Sequence, residues 1–214
     1  FGSNDGLKNY IIKYFKKELK SEYLKYYYTD ELIYWHASIA KNTAHLLATG
    51  KYVINLDCDN FTGLNGGDKV IDIFRKNNDN IILHQTSNIY GSGTMGRIGL
   101  TKENFLKLGG YDQNLKPMGH QDGDLVNRAK YLGLKYILFN HTDFNKTIIN
   151  DKNKSLENCY GDLNYLQMTK INMIISNFNI RSNIIIANNY LKGNHLGIRQ
   201  KLFRIFHNKI KNNS

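Results

Sequence analysis

Two carboxylates separated by one residue, Asp57 and Asp59, lie at the end of the run KYVINLDCDN, positions 51–60. Positions 52–57 are short and nearly all apolar, which predicts a buried strand that reaches the surface at its carboxyl end. Paired carboxylates there supply the hard oxygen ligands that Mg²⁺ and Mn²⁺ prefer, and such a metal could neutralise a nucleotide diphosphate. A solvated turn or a helix cap is the alternative. Strand alternation predicts that Cys58 points inward.

A second carboxylate pair, Asp122 and Asp124, lies in the first turn of a helix predicted over 121–133. Residues two positions apart do not share a helix face. Asp122 can therefore point into a site while Asp124 caps backbone N–H groups, and capping by both is the alternative.

A histidine, His141, ends the last strand that the sequence predicts, over 135–141. An imidazole beside carboxylates shifts the metal preference of a site from Mg²⁺ toward Mn²⁺. A structural histidine is the alternative.

Helices and strands alternate along the first 150 residues. The helical spacing of apolar residues predicts helices over 6–19, 35–50, 66–77, 101–110 and 121–133. Apolar runs predict strands over 22–29, 52–57, 80–86 and 135–141. The alternation predicts the α/β class, with a mostly parallel sheet covered by helices on both faces. Ligands of such sheets bind beyond the carboxyl ends of the strands, where Asp57 and His141 are expected. The glycine-rich run 90–99 predicts a mobile loop.

The helical periodicity weakens beyond residue 150, so we expect one domain over 1–150 and a helical extension over 151–214. Helices are predicted over 163–178 and 196–214. The second of these is basic and amphipathic, and we expect it to pack on the domain as a terminal helix. Peripheral contact with an anionic membrane surface is the alternative.

Composition limits the class of protein. The 214 residues are 41% hydrophobic and 12% aromatic, which predicts a packed globular domain. The net charge of +11 favours polyanionic partners, namely nucleic acid, anionic lipid or nucleotide phosphates. A solvated basic surface is the alternative. Two cysteines indicate a reducing compartment, and no apolar run approaches the ~20 residues of a membrane span, so we expect a cytoplasmic protein.

A resemblance to a known family is carried by GRIGLTKENFLKLGGYDQNLKPMGHQDGDLVNRAKYLGL, residues 96–134. This stretch resembles the acceptor-side segment of GT-A-fold glycosyltransferases and is most similar to the beta-1,4-galactosyltransferase family and its bacterial relatives. That family shows Lys-Glu-x-Phe, a Gly-Gly-Tyr/Phe turn, then Trp-Gly-x-Glu-Asp-x-Asp and Asn-Arg. Met118 replaces the family's Trp, and Gln121 replaces its Glu. The matching positions are Lys102, Glu103, Phe105, Gly110, Tyr111, Gly119, Asp122, Asp124, Asn127 and Arg128.

The resemblance extends over roughly residues 1–150. GKYVINLDCDN, residues 50–60, resembles the Asp-x-Asp strand of the family, and AKNTAHLLATG, residues 40–50, resembles the helix before it. FGSNDG, residues 1–6, is similar to the Asp-x-Ser-x-Asp-Gly turn of family-two glycosyltransferases. We expect the first strand of the nucleotide-binding half to lie upstream of this turn.

The resemblance implies a GT-A-like nucleotide-diphospho-sugar fold and a function. A hexose or N-acetylhexosamine would pass, with inversion, from a UDP-sugar to a hydroxyl of a glycan, glycolipid or protein. Asp122 would be the general base. Mn²⁺, or Mg²⁺, would be held by Asp57, Asp59 and His141. The donor would contact Lys41 and Arg97, and the acceptor would contact Met118, Gly119, Gln121 and Asp124.

Two other classes of protein explain parts of the pattern. A basic chain with an Asp-x-Asp pair fits a nucleic-acid-binding or nuclease module, although no recognisable nucleic-acid motif is present. A non-catalytic glycosyltransferase-like fragment that binds a partner chain is the other class.

Overall fold

The computed structural model describes residues 4–29, 34–86, 93–140 and 146–188. These residues form two compact units, of which the first ends at Trp35 and the second begins at His36. The helix predicted over 196–214 lies outside the described residues. Within the described part, no helix is long and apolar enough to cross a membrane.

The first unit contains two short helices, α1 (Leu7–Tyr14) and α2 (Lys16–Lys20). They replace the single helix predicted over 6–19, which breaks at Phe15. The strand predicted over 22–29 is wrong, because this stretch has no regular structure. An aromatic run forms a strand only where a partner strand satisfies its backbone.

In its described part, the second unit combines a four-stranded sheet with helices. The strands are β1 (Tyr52–Ile54), β2 (Ile81–His84), β3 (Ile98–Thr101) and β4 (Lys135–Leu138). The helices are α3 (Ala37–Leu47), α4 (Gly66–Lys76), α5 (Lys102–Lys107), α6 (Gln121–Tyr131), α7 (Lys152–Leu156) and α8 (Tyr165–Arg181). The α/β class is therefore confirmed.

The sheet is mixed, not mostly parallel as the sequence predicts. Its order is β1-β3-β2-β4, with β3 antiparallel to both of its neighbours and β4 parallel to β2. Three strands therefore run one way, and β3 runs the other way between two of them. β1 pairs with β3 alone among the described residues. The expected upstream strand stays a prediction.

The strand β3 was missed because it continues the glycine-rich run 90–99, which we interpreted as a loop. Gly99 lies in the middle of β3, where a Cβ atom would come within 3.2 Å of Ile54 and 3.4 Å of Phe74. A missing side chain here lets β1 and α4 pack closely, which explains a glycine inside a strand.

Helices cover both faces of the sheet, as predicted. Alternation along β2 places Ile81 and Leu83 in one apolar cluster with Phe74 of α4. Ile82 points to the other face, into a cluster that includes Phe105 of α5 and Leu125 of α6. The sheet is thus packed on both faces, and the loops at its strand ends extend beyond this core.

The boundary predicted at residue 150 differs from the structure, because α8 belongs to the same unit as the sheet and packs on α6. Its amino terminus carries a capping box between Asn164 and Gln167. Asn172 of α8 is fully buried. This helix is therefore part of the framework that holds the loop before α6.

Candidate functional site

Asp57 follows β1 directly, and a buried asparagine orients its side chain. Asn55 donates from Nδ2 to Asp57 Oδ1 at 2.9 Å and to the carbonyl of Gly96 at 2.8 Å. A Cβ atom at Gly96 would overlap Asp57 Oδ2 and would lie 3.2 Å from Lys41 Nζ. Only glycine therefore lets the backbone before β3 approach this carboxylate so closely.

Lys41, on α3, joins the two carboxylates that the sequence predicted from separate motifs. Its Nζ lies 2.8 Å from Asp122 Oδ1 and 3.8 Å from Asp57 Oδ1. The helix is held in place by the next residue, Asn42, whose side chain forms two 2.8 Å hydrogen bonds with the backbone N–H and C=O of Tyr111. Asp57, Lys41 and Asp122 therefore form one cluster on the second unit.

The Lys41 side chain is 12% exposed, whereas those of Asp57 and Asp122 are 39% and 22% exposed. Burial disfavours the ammonium, but the carboxylates of Asp122 and Asp57 outweigh burial and raise the pKa of Lys41 above its usual value. The Tyr111 ring, 5.3 Å from Nζ, adds a cation–π contact. Lys41 therefore stays charged.

Asp59 lies in the turn after β1, which is closed by a 2.9 Å hydrogen bond from Asn60 N to Asp57 O. Both of its oxygens accept amide hydrogen bonds, Oδ1 from Asn60 Nδ2 and Oδ2 from Asn150 Nδ2, each at 2.5 Å. The prediction that Cys58 points inward is wrong: the residue is exposed. The strand ends at Ile54, so alternation does not extend to this turn.

The chain beyond β4 returns to this turn. Phe61 N donates to Lys146 O at 3.1 Å, and Ile148 N donates to Asp59 O at 2.7 Å. Residues 146–150 therefore form one wall of the site. His141 lies outside the described residues, so its role as a metal ligand stays a prediction.

Arg97, predicted to contact the donor, is 1% exposed. Its Nε donates to Asn60 Oδ1, and its Nη2 donates to Lys146 O at 2.6 Å. Its Nη1 is buried without a partner among the described residues. Protein groups thus occupy two of the three guanidinium nitrogens, which corrects the expectation of an arginine open to a ligand.

Asp124 has a different role from the two that we predicted. It is fully buried, and among the described residues its Oδ1 accepts no hydrogen bond, so no capping contact is present there. Its Oδ2 accepts a hydrogen bond from Arg128 Nε at 2.8 Å and lies 2.8 Å from Arg128 Nη2 as an ion pair. Arg128 also donates to the carbonyls of Leu108 and Gly110. The pair therefore anchors α6 to the Gly-Gly turn and is out of reach of an acceptor in solvent.

The predicted acceptor residues Met118, Gly119 and Gln121, in the loop before α6 and at its first position, are engaged by hydrogen bonds within the protein. Gln121 is 3% exposed and donates to Lys116 O at 2.8 Å, so its side chain faces its own loop and not the solvent. Asn172 donates to Gly119 O at 2.6 Å and to Met118 O at 3.2 Å. Gly119 adopts a positive φ of 85° and has no room for a side chain beside Thr169. Met118 remains half-buried.

Sequence reasoning missed the amide side chains that orient the site. Asn55, Asn60, Asn150 and Asn172 each hold a predicted site residue or its loop. Asn55 and Asn60 could have been noticed because they lie close in sequence to the Asp-x-Asp pair, whereas no sequence pattern marked Asn150 or Asn172. His84, at the end of β2, was also missed. Burial lowers the pKa of His84, whereas the negative charge of Asp122 acts in the opposite direction.

The residues fit a hard divalent cation, although no group of three or more His, Cys, Asp or Glu able to hold a metal occurs in the described part of the chain. Among the described residues, no hydrogen bond engages Asp57 Oδ2, and each Asp59 oxygen accepts one neutral amide donor, which leaves that oxygen a further lone pair for a cation. Two carboxylates suit Mg²⁺ or Mn²⁺ better than a soft metal.

Comparisons of this chain with protein-family models, with curated proteins and with solved structures found no match. The geometry of the cluster formed by Asp57, Lys41 and Asp122, with Asp59 in the adjoining turn, is therefore the basis for a proposed function.

Proposed function

We propose that this chain is an inverting glycosyltransferase that moves a hexose or N-acetylhexosamine from a UDP-sugar to an acceptor hydroxyl. The observation that supports it best is the contact of Lys41 with both Asp57 and Asp122. The Asp-x-Asp motif resembles the donor side of one enzyme family, and the motif around Asp122 resembles its acceptor side. The Lys41 ammonium thus contacts one carboxylate from each motif.

In this proposal Asp122 acts as the general base. Lys41 engages its Oδ1 at 2.8 Å, and no other hydrogen bond engages the side chain among the described residues. In the proposed reaction the acceptor oxygen attacks the anomeric carbon, its proton passes to Asp122 Oδ2, and the bond from that carbon to the UDP oxygen breaks. Attack opposite the leaving group inverts the configuration. A positioned base is typically worth ~10²–10⁴-fold in rate.

Asp57 and Asp59 would hold Mn²⁺, with Mg²⁺ as the alternative, and the ion would offset charge on the departing diphosphate. The net charge of +11 also favours an anionic donor. The acceptor hydroxyl would belong to a glycan, a glycolipid or a protein.

A thermal-shift screen of UDP-, GDP- and dTDP-sugars, each with and without Mn²⁺, tests donor binding. A ligand that binds only the folded state stabilises it by RT ln(1 + [L]/Kd), so weak donors also register. We expect the largest shift with UDP-sugars and Mn²⁺ together. Asp59→Ala should abolish it, whereas Asp72→Ala, an exposed carboxylate on α4, should not. Equal shifts in both variants would contradict the metal assignment.

A further inference from the structure

Arg97 lies at one end of a chain of hydrogen bonds that ends on Asp59. Its Nε donates to Asn60 Oδ1, and Asn60 Nδ2 donates in turn to Asp59 Oδ1 at 2.5 Å. A carboxamide accepts only through its oxygen and donates only through its nitrogen. The two contacts together therefore fix the orientation of the Asn60 amide and direct its N–H to the carboxylate.

A second route runs from Arg97 to the same carboxylate through the wall 146–150. Nη2 donates to Lys146 O at 2.6 Å. Two residues later, Ile148 N donates to Asp59 O at 2.7 Å, and Asn150 donates to Asp59 Oδ2. Both oxygens of Asp59 are thus held by asparagines that Arg97 anchors, one directly and one through the backbone.

Arginine suits this task because its planar fork binds two acceptors in fixed directions. At 1% exposure the guanidinium has little access to a ligand in solvent. Burial lowers the pKa of Arg97, and the carboxylates of Asp57 and Asp59 oppose that effect. The charge is therefore kept in the interior, next to the turn that carries both carboxylates.

We propose that Arg97 is a positioning residue, which acts through Asn60 and Lys146 to hold the Asp59 carboxylate in place for a divalent cation. The part that concerns the cation rests on the proposed function. The part that concerns the fixed turn does not, so the two are tested by separate measurements.

Amide hydrogen exchange, read by NMR without metal, tests the fixed turn. In Arg97→Gln we expect the amides of Phe61 and Ile148 to exchange at least ~10-fold faster, while Ile82 in β2 keeps its protection. Arg97→Lys should not restore the protection, because an ammonium cannot bridge both acceptors. Arg75→Gln, an exposed arginine on α4, is the matched control. Unchanged protection of both amides in Arg97→Gln would overturn the proposal.

Mn²⁺ titration, followed by the electron paramagnetic resonance signal of the free ion, tests the effect on the cation. Partners of metal ligands typically contribute ~10–100-fold in affinity, so we expect a loss of that size in Arg97→Gln and in Asn60→Ala. Because one residue acts through the other, the double variant should lose less than the sum of the single variants. Additive losses of Mn²⁺ affinity would contradict a relay through Asn60. If Arg97→Gln does not fold, the loss of Mn²⁺ affinity in Asn60→Ala alone tests the relay. Absence of Mn²⁺ binding in the unmodified chain would contradict the proposed function, and the exchange experiment would still decide the role of Arg97.

Discussion

The ammonium of Lys41 and the carboxylate of Asp122 meet at 2.8 Å although 81 positions separate them in the sequence. The contact links α3 to the first turn of α6, and the same ammonium lies 3.8 Å from Asp57 at the end of β1. Three segments that the fold brings together thus share one positive charge, on a side chain that is 12% exposed.

Replacement of this charge tests how far the cluster depends on it. We expect Lys41→Met to lower the free energy of unfolding by about 3 kcal/mol, the lower end of the loss for a broken buried pair, because Asp122 keeps some solvent contact. The same substitution at the exposed Lys76 is the control. Urea unfolding measures both. The double variant Lys41→Met with Asp122→Asn should recover part of the loss, and strictly additive losses would contradict the pairing.

The buried pair of Asp124 and Arg128 predicts a stability effect larger than that of a helix cap. Asp124→Asn leaves the Arg128 guanidinium in the interior without its counter-ion, so we expect a loss of about 3–5 kcal/mol in the free energy of unfolding. Asp72→Asn should stay within about 0.5 kcal/mol. A loss of about 1 kcal/mol or less at Asp124 would instead indicate the capping role that the sequence suggested.

His45 predicts a dependence of stability on pH. Burial lowers its pKa to about 4, and its ring stacks on Phe105 at 4.7 Å. In the unfolded chain, where the pKa of histidine is about 6.5, His45 is protonated as the pH falls below that value. In the folded chain it is protonated only near pH 4. The free energy of unfolding should therefore fall as the pH drops through this window, by up to about 3 kcal/mol from His45 alone.

The variant His45→Gln isolates this contribution. Burial also lowers the pKa values of His36, His84 and His120, but these residues remain in both proteins. Urea unfolding at several pH values should show a shallower fall between pH 6.5 and 4 in the variant. Parallel curves for the two proteins would show that His45 is protonated equally in the folded and unfolded chains.

Local patterns predicted much of the fold. The helix α4 shows the 3.6-residue apolar period, and Thr101 caps α5 by accepting from Asn104 N, as its position in the sequence indicates. The antiparallel strand β3 could not be recognised, since its central Gly99 is explained only by the packing of Ile54 and Phe74. Strand pairing is a long-range property that periodicity does not encode.

Within the candidate site, residue types were predicted better than their roles. The sequence separated Asp122 from Asp124 because they lie on different helix faces, and the structure places them differently, one beside Lys41 and one beside Arg128. It could not reveal that Arg97 turns inward. The direction of a long side chain depends on acceptors, here Asn60 and Lys146, that only the folded chain supplies.

The rate of sugar transfer from a UDP-sugar in the presence of Mn²⁺, measured for Asp122→Asn beside Asp72→Asn, tests whether Asp122 is the general base. Asparagine keeps the shape of the side chain but cannot accept the acceptor proton, so the rate should fall by ~10²–10⁴-fold. The control should transfer at the unmodified rate, and the thermal shift with UDP-sugar and Mn²⁺ should persist in both variants. An Asp122→Asn protein that transfers sugar as fast as the control would contradict the assignment of Asp122 as the base.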